Sequence, residues 1–140
     1  MPQLLALAAS LAFGIGSYFE KKGLHLADLP PQVGITVRTL TAVIVLAVIS
    51  FPELKALTRA NPKGVWMIAL GGGVLAGAVG LQCFYAAMKG APLTTVMPIA
   101  FTSPLIGAAI AVVFGGEPLT WKTAIGMLMT VGGIVVITTG

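Results

Sequence analysis

Five apolar runs of about twenty residues dominate this sequence, and together they contain a single charged side chain, Arg38. A bilayer core about 30 Å thick is crossed by about 20 helical residues. By that ruler the runs are membrane spans at approximately 2–19, 33–51, 64–88, 93–116 and 123–140. The chain is 57% hydrophobic and only 9% charged, whereas about a quarter of the residues of a soluble domain carry charge. The interior of a 140-residue fold is too small to bury five such runs, so lipid must be the solvent for much of the surface. Strands of a membrane barrel would alternate polar and apolar residues over about ten positions, and these runs do not. The expected fold class is therefore all-α integral membrane, with five transmembrane helices forming one domain over 1–140 and almost nothing outside the bilayer.

The polar residues collect in the breaks. Glu20, Lys21 and Lys22 end the first run, and His25, Asp28, Pro30 and Pro31 follow. Pro52 opens the most polar stretch, with Glu53, Lys55, Arg59, Asn61, Pro62 and Lys63, which reads as a short surface loop or interfacial turn. Lys89, Gly90 and Pro92 make a tight connection, and Glu117 to Lys122 links the last two runs. The net charge of +4 thus comes from juxtamembrane cations facing lipid headgroups, with Trp66 and Trp121 as interfacial anchors. No basic stripe interleaved with aromatics is present, which excludes nucleic acid as a partner. Ala6, Ala8 and Ala9 resemble a signal cleavage site, but no basic residue precedes the first run, so it is expected to remain as an anchor. Cys83 is alone and forms no intrachain disulfide.

Helices in lipid meet where small residues let backbones approach. Gly73 and Gly77 form such a pair in the third span, and Ser103, Gly107, Ala111 and Gly115 form a ladder in the fourth. They serve packing within one subunit or between subunits. Buried ionisable groups are the usual mark of function in a membrane, and the span interiors hold no carboxylate. Glu20 lies about 27 Å along the first helix from Pro2 at 1.5 Å per residue, which favours a snorkelling or paired interface residue over a coupling carboxylate. Arg38, on the same side as Glu20 and Asp28, is expected to pair or to contact a headgroup, with anionic-substrate binding as the sharper alternative. His25 has no second histidine with which to bind metal. No paired carboxylates, Ser-His arrangement or ligand cluster occurs in the spans, so neither catalysis nor a cofactor is expected.

The neutral polar residues Gln82, Tyr85, Thr102 and Ser103 are the candidates for a substrate pathway, with interhelical hydrogen bonding as the plainer alternative. Pro98 and Pro104 each remove a helix hydrogen bond and can break the fourth span, exposing carbonyls that a cavity can use. Counted by side, the cations tie: Lys55, Arg59, Lys63 and Lys122 against Lys21, Lys22, Arg38 and Lys89. Under the positive-inside rule a tie gives no strong instruction. Insertion in both directions, hence an antiparallel homodimer, stands against one orientation set by the loop from Lys55 to Lys63.

From Gly80 the chain reads Gly-Leu-Gln-Cys-Phe-Tyr-Ala-Ala-Met-Lys-Gly-Ala-Pro, then Val96-Met-Pro-Ile, Gly115-Gly-Glu-Pro-Leu-Thr, Gly126 and Gly132-Gly133. This resembles the EamA-type repeat of the drug/metabolite transporter superfamily: a Tyr-Ala pair ending the third span, a proline in the fourth, a Gly-Glu-x-Leu-Thr link and a Gly-rich fifth span. Gly14, Gly16, Lys21 or Lys22, and Arg38 fit the first half. Most members have ten spans in two inverted repeats, so the chain resembles the half-length, five-span members. The resemblance implies a secondary transporter or exporter of small metabolites that works by alternating access with a second copy or a related five-span subunit, its cavity lined by the first, third and fourth spans. A prokaryotic cytoplasmic membrane suits an N-terminus without a transit signal. The rival reading is a non-transporting membrane scaffold or regulatory subunit.

Overall fold

The computed structural model describes residues 1–139, and among these it contains five helices long and apolar enough to cross a membrane: Pro2–Leu26, Pro31–Arg59, Pro62–Gly90, Leu93–Gly115 and Trp121–Thr139. No strand occurs among the described residues. This is an all-α membrane fold, as the apolar runs predict. Gly140, the last residue of the fifth expected span, lies outside the described residues.

Proline sets the beginnings. Pro2, Pro31 and Pro62 each sit at the first position of a helix, and Pro92 is the N-cap before Leu93. A residue without an N–H loses nothing in the first turn, where that donor has no intrahelical partner, and its fixed φ is already helical. Pro62 is helped by Asn61, whose side chain accepts a hydrogen bond from the Lys63 amide at 3.0 Å.

Charges do not end helices here. The first helix continues past Phe19 through Glu20, Lys21 and Lys22 to Leu26, because Glu and Lys are good helix formers and only the bilayer ruler suggested a stop. The stretch after Pro52, expected as a short surface loop or interfacial turn, is also helical: Pro31–Ser50 is followed directly by a 3₁₀ segment, Phe51–Arg59. Pro52 falls in the first turn of that segment, where it is tolerated.

The third helix is composite, α over Pro62–Met67, π over Ile68–Gly80 and α again over Leu81–Gly90. The π stretch holds Gly71, Gly72, Gly73, Gly77 and Gly80. A Cβ on Gly77 would come within 2.9 Å of the Gly72 carbonyl oxygen five residues earlier, so glycine is needed there for the wider winding. The fourth helix is broken into Leu93–Ala100 and Ser103–Gly115. It ends at Gly116, whose φ of 67° is left-handed, with the Glu117 amide donating back to the Ala111 carbonyl at 3.2 Å. The Gly116 and Glu117 amides thus both turn back onto the Ala111 carbonyl and close a glycine-terminated helix end.

Lipid supplies no hydrogen bonds, so hydroxyls within spans must be satisfied locally. Thr36 donates to the Gln32 carbonyl, Thr41 to Val37, Thr130 to Gly126 and Thr139 to Val135, all four residues back on their own helices. Ser50 does the same with Leu46.

The chain forms two compact units, Met1–Gly90 and Ala91–Gly140. In the first, the helix end Leu81–Gly90 packs against both the first and second helices, burying Leu24, Tyr85 and Met88. In the second, Leu93–Ala100 packs against Trp121–Thr139.

Candidate functional site

The polar chemistry of the first unit gathers where its three helices meet. Glu20 is six residues from the end of the first helix, Arg38 seven from the start of the second, and Tyr85 five from the end of the third. At 1.5 Å per residue all three lie about 8–10 Å in from their helix ends, so depth alone brings them level. Arg38 Nε contacts Glu20 Oε1 at 2.6 Å, and Tyr85, whose ring is buried, lies close enough to feel the charges of both. The pair is partly open, the Arg38 side chain being 35% exposed and Glu20 20%.

The helix faces explain the meeting. Pro31, Gly34, Ile35 and Arg38 recur at three and four residues and form the covered face of the second helix. Ser17, Glu20 and Leu24 do so on the first, and Leu81, Tyr85 and Met88 on the third. Gly34 is the closest approach: a Cβ there would sit 2.8 Å from Leu24 Cδ1 and 3.1 Å from Tyr85 Cε1. Its lack of a side chain seats the Tyr85 ring beside Arg38. Sequence reasoning missed Gly34, although its spacing of four from Arg38 was a usable signal.

A second clamp lies nearer the helix ends. Asp28 adopts φ 46° in the turn between the first two helices, a conformation that Asp tolerates better than most residues. Lys89 reaches this turn from the third helix, donating to the Leu29 carbonyl at 2.9 Å and lying 3.6 Å from Asp28 Oδ1. His25 Nδ1 is 2.9 Å from the Lys21 carbonyl oxygen within the first helix.

The other candidates are distributed as follows. Gln82 is partly covered and stands one turn before Tyr85. Thr102 and Ser103 occupy the break of the fourth helix, where Thr102 Oγ1 donates to the Ile99 carbonyl at 2.7 Å. Pro98 and Pro104 bracket that break and lack the N–H groups that would close on the Thr94 and Ala100 carbonyls. Among the described residues, a Cβ on Gly73 or Gly107 would meet nothing within 4 Å, and one on Gly115 would meet only Ala111 of its own helix at 4.0 Å. No group of three or more His, Cys, Asp or Glu able to hold a metal occurs among the described residues.

The profile of the EamA-like transporter family matches residues 1–139. The chain belongs to the EamA-like transporter family. No curated protein and no solved structure matches it. Membership makes this EamA-like chain a multi-pass membrane protein of a family of small-metabolite transporters, not of enzymes. It also gives the Gly-Glu link of this EamA-like sequence a physical meaning: Gly116 is the left-handed residue that ends the fourth helix.

Proposed function

We propose that the chain is one five-helix half of a secondary transporter of small metabolites, paired with an oppositely inserted second copy or a related five-span chain. The observation that carries this reading is the Glu20–Arg38–Tyr85 cluster, an acid–base pair with a phenol set about two turns inside three helices whose long central stretches are apolar. Such groups are costly in lipid and are retained where they serve a pathway. The even division of cations, four on each side, supports insertion in both directions, and two inverted copies would recreate the pseudo-two-fold arrangement of transporter repeats with substrate at their interface. Gln82 and Tyr85 are the pathway candidates of the first unit. Thr102, Ser103 and the carbonyls freed by Pro98 and Pro104 are those of the second. Alternating access moves one copy against the other, and the small-residue ladders at Gly73, Gly77, Gly107, Ala111 and Gly115, open at Gly73 and Gly107, supply close contacts.

Topology tests this reading. Single cysteines placed at residue 2 or residue 139 of a Cys83→Ala variant, expressed in a bacterial cytoplasmic membrane, are probed with an impermeant thiol reagent in intact and opened cells. Labelling of each position from both sides is expected. Labelling of each from one side only overturns the antiparallel homodimer and leaves a partner of opposite orientation as the missing half.

A further inference from the structure

The second membrane helix crosses a bilayer core before its last segment begins: Pro31–Ser50 is 20 residues long, about 30 Å at 1.5 Å per residue. The nine residues of Phe51–Arg59 that continue it therefore emerge at the headgroup level, and the chain returns to an apolar run directly after Lys63. Their 3₁₀ winding sorts them. Three residues per turn bring positions three apart into register, so Phe51, Leu54 and Leu57 form one straight ridge, where an α-helix would fan them across about 120° of its surface. Pro52, Lys55 and Thr58 fall on one flank of the ridge, and Glu53, Ala56 and Arg59 on the other. All three ridge residues are exposed, Phe51 by 75%.

The polar side of the segment is built for an anion. Lys55, Ala56, Thr58 and Arg59 line an open hollow that holds two cations and no carboxylate. Glu53 lies at the opposite end of the segment, about 12 Å along the axis from Arg59 at about 2 Å per residue. No side chain of Phe51–Arg59 enters an ion pair among the described residues. The Thr58 hydroxyl is committed to the Lys55 carbonyl at 2.8 Å, which leaves the Lys55 ammonium and the Arg59 guanidinium as the donors of the hollow. Their backbones are about 8 Å apart along the axis, a separation that two long side chains close on one phosphate.

We propose that Phe51–Arg59 is a docking site for anionic phospholipid, with the headgroup phosphate held between Lys55 and Arg59 and with Phe51, Leu54 and Leu57 set among the acyl chains. An apolar ridge flanked by cations fits this occupant on both counts, because the bilayer boundary offers hydrocarbon and phosphate side by side. A soluble anion would leave the ridge in water, and an apolar protein surface would leave the two cations unpaired. Lys63 adds a third positive charge at the start of the third helix. The docking depends neither on transport nor on the direction of insertion, since the segment meets a headgroup layer on whichever face it emerges.

The test places a bimane fluorophore on Ala60→Cys in a Cys83→Ala background. The whole protein is reconstituted in phosphatidylcholine vesicles and titrated with phosphatidylglycerol or phosphatidylcholine carrying a nitroxide near the head of one acyl chain. Phosphatidylglycerol is expected to reach half-maximal quenching at a mole fraction at least about fivefold lower, the preference that a single cation at the headgroups confers. Lys55→Gln/Arg59→Gln should remove that difference. The charge-conserving Lys55→Arg/Arg59→Lys should keep it, as should Lys21→Gln/Lys22→Gln at another helix. Bimane moved to Leu54→Cys should be quenched more by the acyl nitroxides than bimane on Ala56→Cys. Equal quenching by the two lipids, a preference that survives loss of both cations, or an equal or reversed order at residues 54 and 56 overturns the proposal. So does a preference abolished by inorganic phosphate but not by chloride of equal ionic strength, which would make the hollow a site for free anions.

Discussion

Glycines that look alike in the sequence differ sharply in what they hold. Gly34 has Leu24 and the Tyr85 ring within van der Waals reach, whereas Gly23 has nothing within 4 Å. Gly34→Val would drive two methyl groups against an aromatic ring and is expected to destabilise the first unit by about 2 kcal/mol, the range of overpacked cores. Gly23→Ala meets open space and should gain up to about 1 kcal/mol of helix propensity. Unfolding of the two variants in mixed micelles by SDS checks both signs. The levels of Glu20 and Arg38 follow from residue counts only once the helix ends are known, because the sequence placed Glu20 at the end of its span and the helix runs on to Leu26. The part played by Tyr85 and Gly34 was not legible. Rotation about a helix axis is ordinarily read from an amphipathic stripe, and helices bathed in lipid carry little of one.

Individual helices show which local signals are dependable. Proline at a first helical position marks the true starts at Pro2, Pro31 and Pro62, while the charged residues at positions 20–22 mark nothing but a change in polarity. The π winding of Ile68–Gly80 had no legible signal beyond an excess of glycine. The end of the fourth helix was legible as a motif, and the structure supplies its cause in the φ of 67° at Gly116. Gly116→Ala forces a Cβ into that left-handed conformation, which costs an L residue about 1–2 kcal/mol. A loss of that size in unfolding free energy is expected, with faster amide exchange at Glu117, whose N–H closes the helix on Ala111. A variant of unchanged stability would show that the link adopts another backbone path.

For the whole molecule, composition was enough to choose lipid as solvent, because the apolar surplus is too large for any other solution, and the lengths of the apolar runs were enough to count five spans. What composition cannot convey is partnership. The ladder positions Gly73 and Gly107 stand open among the described residues, and nothing in a single chain specifies what closes on them. The Glu20–Arg38 contact also bears on biogenesis. Its two charges enter the membrane on successive helices, and each alone costs about 2.5–3.5 kcal/mol on the insertion scale at a helix centre and less toward its ends. They cancel only once the first two helices lie side by side, which makes the hairpin, rather than the single helix, the unit that partitions from the translocon into lipid. A fragment of residues 1–59 should therefore resist alkaline extraction better than one of residues 1–30, and Arg38→Gln should erase much of that advantage by stranding Glu20 without its counter-charge.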